Sequence, residues 1–188
     1  MNERLQQPSV PEPAEPDTKD WSWVVERPCR ECGFDPATVT PEAIPAIVVD
    51  AAQRFGLALE RADAGVRHEP RRWSVVEYGQ HVADVLEVMT DRLKLILASG
   101  GAGATFDDWD QDSAALEKEY WRANTHVTRI LVKERAAAAA EVWAQPTGEQ
   151  WGWPATRSNG SRFTAATLGT YLVHDLVHHL NDVGAPES

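Results

Sequence analysis

The sequence predicts an all-α fold, a four-helix bundle preceded by a short N-terminal extension. Apolar residues recur at steps of three and four through most of the chain after residue 40. Capping signatures and glycine-rich stops bracket those runs. No convincing alternating segment is visible, and no Asn-Gly or Asp-Gly hairpin sits between strands. A chain of 188 residues, 43% hydrophobic and 25% charged, suits one domain with a core of its own.

Residues 1–19 are polar and proline-rich and predict a disordered leader. Residues 20–36 form an extension, in which two Trp, two Val and a Cys-x-x-Cys-Gly turn are able to dock on a larger body. The bundle follows over 37–188. Thr40 is placed to cap its first helix, with Pro41 at the first helical position. Pro45 is tolerable only within the first turn, and the helix should run to about Ala62. Ser74 and Glu77 make a capping box for the second helix. Its apolar stripe is Tyr78, Val82, Val85, Met89, Leu93 and Ile96, and the glycines at 100–103 end it. After a loop at 106–112 comes a helical stretch in two pieces, broken near Asn124 and Thr125. A polar loop covers 146–163, with Asn159-Gly160 read as a turn and Trp151 and Trp153 rimming a pocket or covering a bundle end. The last helix has Thr164 as its cap, Leu168, Leu172, Leu176, Leu180 and Val183 as its stripe, and Gly184 as its stop. Trp73 is a hydrophobic staple or core anchor before the second helix.

Charge and cysteine content bound the function. A net charge of −11 repels phosphate backbones and anionic lipid, which argues against nucleic-acid and membrane partners. No apolar run reaches the ~18 residues of a membrane helix, and residues 1–20 hold no apolar signal region. Two cysteines, Cys29 and Cys32, exclude a disulfide scaffold and predict a cytoplasmic protein.

The histidines carry the chemistry. His174 and His178 stand at i and i+4, the spacing by which one helix presents two imidazoles to one metal ion. His81 lies at the edge of the second helix's apolar stripe, from where it can face that pair. Three neutral nitrogen ligands would leave a divalent cation charged and open, as in catalytic sites. His179, about 100° round the helix from His178, is a helper or a surface residue, or exchanges roles with its neighbour. His68 and His126 read as surface residues. Glu77, Asp84 and Asp182 are placed to orient a ligating imidazole. Asp175, beside His174, points elsewhere. Trp109 and Asp110 can line the site's mouth, although Asp110 also suits a helix N-cap. Cys29 and Cys32 read as half of a zinc site without visible partners, as a redox pair, or as a turn whose thiols pack as small hydrophobes. A sharper version makes one of them an internal nucleophile.

Four segments, in order, resemble the DinB-like superfamily and its branch in high-GC actinobacteria. They are WSWVVERPCRECGFD (21–35), WSVVEYGQHVADV (73–85), WDQD (109–112) and YLVHDLVHHLNDV (171–183). The resemblance implies a DinB four-helix bundle with a metal held by His81, His174 and His178. Similar proteins include bacillithiol-using thiol S-transferases and the mycothiol-dependent maleylpyruvate isomerase. The isomerase carries a Glu where this chain is read to have His174, and most characterised members lack the Cys-x-x-Cys extension. The implied activity is metal-dependent activation of a low-molecular-weight, mycothiol-like thiol for transfer to, or isomerisation of, a small electrophile. Zinc or nickel is the expected cofactor, a small molecule the substrate, and a monomer or homodimer the assembly. A hydrolase using the same three histidines, or a non-catalytic metal-binding stress protein, are the alternatives.

Overall fold

In the computed structural model, which describes residues 11–185, the chain folds into five helices: α1 (Ile44–Leu59), α2 (Val75–Ala98), α3 (Gln111–Glu117), α4 (Thr125–Trp143) and α5 (Ala165–Asp182). The short α3 is peripheral, and the other four make the bundle. α1 and α2 each pack against both α4 and α5. The order around the bundle is therefore α1, α4, α2, α5, so the consecutive helices α1 and α2 face each other across the core.

Local chemistry sets the helix ends. The Ser74 backbone N–H donates to Glu77 Oε2 at 2.9 Å, opening α2. A 3₁₀ turn over Pro41–Ala43 precedes α1, and Pro45 falls in the first turn, where its missing N–H breaks no helical bond. α1 ends at Leu59, about a turn's width short of the expected Ala62. Asn124 Oδ1 accepts from the N–H groups of His126 and Val127 at 3.0 and 3.1 Å, which fixes the expected break and starts α4. Thr164 Oγ1 accepts from the Thr167 N–H at 3.2 Å, and Gly184 at φ +56° stops α5.

The absence of strands predicted above is overturned. Ala104–Phe106, Pro154–Arg157 and Arg162–Thr164 form a three-stranded sheet, β1, β2 and β3. β1 runs parallel to β2, and β2 antiparallel to β3. The Asn159-Gly160 turn is the tip of the β2–β3 hairpin, with Gly160 at φ +93°. Strands of three or four residues are too short to display an alternation.

The core joins Ile44, Phe55, Leu86, Leu93, Ile96, Trp143, Leu168, Leu172 and Leu176, all essentially solvent-free. Trp151 is buried with them, and Trp153 covers Gly101. The first ten residues of the expected leader lie outside the described residues. Residues 11–19 have no regular secondary structure, and their backbone meets the body where Glu15 N–H donates to Arg71 O at 2.7 Å. Residues 20–38 then run against α5 with Val24, Cys29 and Phe34 buried. No helix among the described residues is long and apolar enough to cross a membrane.

Candidate metal centre

α5 carries two i, i+4 pairs of ligand-type residues one step apart, His174 with His178 and Asp175 with His179. One step is about 100°, so the two pairs look in different directions from one helix. On an ideal helix Asp175 and His179 abut the Leu168–Leu180 stripe, while His174 and His178 lie about 100° farther round. The stripe faces the core, so the pair nearer to it faces α2.

The structure accordingly divides the three expected ligands. His81 of α2 converges with Asp175 and His179, not with His174 and His178. His81 Nε2 and His179 Nε2 stand 3.6 and 3.5 Å from Asp175 Oδ1. One ligand atom from each residue lies within 4.8 Å of the others. His174 and His178 form a separate cluster with Cys29 and Cys32.

The first cluster is buried and underpartnered. Both ring nitrogens of His81 and Oδ1 of Asp175 are buried without a hydrogen-bond partner. Orphaned polar atoms of this kind are expensive unless something binds them. Burial holds His81 below its ordinary pKa, which keeps it neutral. Burial by itself would raise Asp175, but nearby His81, His179 and His174 outweigh it and bring the carboxyl down to about 2. Burial would lower His179, yet the hydrogen bond to Asp182 and the Asp175 charge raise it.

A cation fits this donor set. Metal–nitrogen and metal–oxygen bonds of about 2.1 Å span a tetrahedral edge of roughly 3.4 Å, close to the two separations above. Two imidazoles and one carboxylate leave a divalent ion positively charged with a coordination position open, the pattern of catalytic rather than structural sites.

The surroundings orient the ligands. His179 Nδ1 donates to Asp182 Oδ2 at 2.9 Å, which turns the Nε2 lone pair towards Asp175. Arg72 holds Asp182 in turn, at 3.0 Å. Trp109 stacks on His81 at 5.6 Å between ring centres, and Trp73 leans on it at 5.2 Å. Tyr78 lies 5.1 Å from the His179 ring. A cavity of about 320 Å³ opens beside His179, with Trp21, Glu31, Arg72 and Asp112 in its walls.

The other expected residues have different duties. Glu77 is consumed by the capping box and an ion pair with Arg67. Asp84 turns away from His81, accepting from Lys118, Tyr120 and Arg135 at 2.7, 2.5 and 2.6 Å. Asp110 caps α3 by accepting from the Ser113 N–H at 2.9 Å. Trp109 walls the site, and Asp182 serves His179. His68 and His126 are exposed. The sequence reading points Asp175 elsewhere and leaves His179 as a helper, a surface residue or one that exchanges roles with its neighbour, although their border position beside the leucine stripe is a signal for both.

The comparisons with known proteins agree on the fold. The profile of the DinB superfamily matches residues 50–183. Among solved structures, YfiT from Bacillus subtilis, titled a probable metal-dependent hydrolase with an unusual four-helix bundle topology, aligns with a TM-score of 0.67. It is 16% identical, over 80% of this chain and 91% of that one. No curated protein matches the sequence.

Proposed function

Since the chain belongs to the DinB superfamily, we propose that His81, Asp175 and His179 hold a divalent metal and that the protein is a metal-dependent enzyme acting on a small molecule through a low-molecular-weight thiol. One observation carries the reading: ligand atoms from α2 and α5 converge while three buried polar atoms of His81 and Asp175 have no partner. The acidic ligand that the family resemblance set opposite His174 is supplied, in this assignment, one residue later by Asp175. A divalent ion bound there lowers the pKa of a thiol or water in its open position, making a nucleophile available near neutral pH.

The chain's own residues do the rest. Asp182 keeps the proton on His179 Nδ1, and Arg72 keeps Asp182 in place. Trp73 and Trp109 keep water from the buried side of His81. In the cavity beside His179, Arg72 presents a cation and Glu31 and Asp112 present carboxylates. Such a lining suits a hydrophilic, charged thiol better than an apolar substrate. In the transfer, the thiol S–H bond breaks and its proton passes to solvent, the sulfur bonds to the electrophilic carbon, and the bond from that carbon to its leaving group breaks, the group departing with the electron pair, as chloride does from monochlorobimane.

A second reading is hydrolysis, with water in place of thiol; the description of the YfiT structure favours it. One assay separates the two. Zinc- or nickel-loaded protein is tested for monochlorobimane consumption across a panel of low-molecular-weight thiols, and for ester and amide cleavage without thiol. Thiol-dependent turnover is expected. Asp175→Asn and His179→Ala should reduce it by more than the roughly 10–100-fold that follows loss of an outer partner. Cleavage without thiol, abolished by the same variants, would replace the first reading by the second. Full turnover in both variants would overturn the assignment.

A further inference from the structure

We propose that Cys29, Cys32, His174 and His178 form a second metal site, a closed zinc site that clips the N-terminal segment onto α5. Nothing in the proposed activity uses these four side chains. Yet one ligand atom from each lies within 4.8 Å of the others, although Cys29 and His174 are separated by most of the chain.

The spacing is that of a Cys₂His₂ zinc site, Cys-x₂-Cys on a turn and His-x₃-His on a helix. The turn is built for the task. Cys29 N–H donates to Phe34 O at 2.8 Å, and Gly33 N–H donates to Cys29 O at 2.9 Å. Gly33 sits at φ +77°, a conformation that glycine adopts without strain.

The helix side is equally prepared. His174 is 3% exposed, and its Nε2 is buried without a hydrogen-bond partner. Cys29 Sγ stands 3.9 Å from His178 Nδ1, at the long limit of a hydrogen bond to sulfur. Bonds of about 2.3 Å to sulfur and 2.0–2.1 Å to nitrogen span a tetrahedral edge of roughly 3.6 Å, so a small contraction closes the site. Trp21 covers both imidazoles, at 5.2 and 4.8 Å between ring centres, and Phe34 meets His174 edge-on at 5.3 Å. Two thiolates neutralise a divalent ion, and four protein ligands leave no position for substrate, so the site is structural.

The placement gives the clip a purpose. Trp21 and Glu31, on the clipped segment, stand in the wall of the cavity beside His179. Fixing the segment on α5 fixes that wall.

The two sites share a helix but no ligand, so they can be emptied one at a time. The full chain, kept reduced, is loaded with cobalt(II) as a spectroscopic substitute for zinc and assayed for metal content. We expect a thiolate-to-cobalt charge-transfer band in the near ultraviolet. The Cys29→Ser and Cys32→Ser variants should lose the band and about one metal equivalent. His81→Ala should keep the band, and if the catalytic assignment holds it loses about one equivalent of its own. Zinc should protect both thiols of the wild-type chain from alkylation until a chelator removes it, a readout that requires no variant to fold. Absence of the band in wild-type protein, or equal alkylation rates with and without zinc, overturns the second site. Retention of all metal by His81→Ala, with the band present, instead overturns the catalytic assignment and leaves the clip standing.

Discussion

His179 is held at both ends, and that is what makes its ring usable. Nδ1 donates to Asp182 while Nε2 faces Asp175. A free imidazole divides its proton between two nitrogens and rotates; this one does neither. Asp182 acts on the proposed site through His179, so it is a positioning residue there. Asp182→Asn should therefore weaken metal binding at the His81 site by about 10–100-fold, read by chelator competition, with the α-helical circular dichroism unchanged. Wild-type affinity in that variant would show that Asp182 merely pairs with Arg72. Of the proposed site, His81 and the use of α5 can be read from the sequence, because an imidazole at an apolar border and an i, i+4 ligand pair are local patterns. The choice between two such pairs one residue apart depends on how α5 is rotated about its axis, a tertiary property. The leucine stripe encodes that rotation, since Asp175 and His179 border it. The partners of Cys29 and Cys32 were invisible for a related reason: they belong to the other α5 pair, at the far end of the chain.

α5 is the element on which both proposed sites depend, so its packing is the most consequential in the fold. It packs tightly against its neighbours at Gly169. A Cβ there would stand 2.8 Å from Trp143 Cζ3 and nearer still to Ile44 Cδ1. The isoleucine tip can turn aside, but the buried indole cannot. Gly169→Ala gains about 1 kcal/mol of helix propensity and loses about 1–3 kcal/mol to overpacking. The net effect should be a thermal midpoint lower by a few degrees. Gly56 in α1 is the control, because a Cβ there meets only the flexible Arg129 stem, with Cγ at 3.8 Å and Cδ at 4.0 Å. Gly56→Ala should raise the midpoint, and matching signs for the two variants would refute this account of α5 packing. The helices themselves were legible, with the caps of α2, α4 and α5, because those signals are local; the exception is Thr40, which makes no capping bond and precedes a 3₁₀ turn, so that α1 starts only at Ile44. The sheet was not: β1 pairs with β2 across some fifty residues, which no local window reports. The sheet still matters to the site. Asp108 N–H donates to Ser158 Oγ at 2.8 Å, and Ser158 N–H donates to Phe106 O at 2.9 Å, so the β2–β3 hairpin pins the loop that lays Trp109 on His81.

At the scale of the whole molecule, the helix order α1, α4, α2, α5 leaves α2 and α4 joined through a polar knot at one flank of the core. Asp84 of α2 is 4% exposed and accepts from Arg135 of α4 and from Lys118 and Tyr120 of the connecting segment. The knot closes the long α2–α4 connection over one flank of the core. That circuit was not legible in the sequence, where Asp84 reads as a helper for the neighbouring histidine. Burial by itself would raise the Asp84 pKa, but the three hydrogen bonds outweigh it and hold the carboxyl below its ordinary value. A carboxyl with a depressed folded-state pKa contributes stability that is complete above the unfolded value of about 3.9. The contribution is lost as pH falls through the folded value. Removing the charge leaves Arg135 facing a neutral group across a buried contact. Asp84→Asn should cost about 3 kcal/mol at pH 7, the low end for a broken buried pair because Lys118 reaches solvent. The chain as a whole loses negative charge on acidification, which relieves self-repulsion and acts in the opposite sense. That term is common to wild type and variant and cancels in their difference. Urea denaturation of both chains without added metal should therefore give a stability gap that is constant from pH 7 to about pH 5 and narrows below about pH 4. A gap that stays constant to pH 3 would mean that packing, not the charge of Asp84, ties α2 to α4.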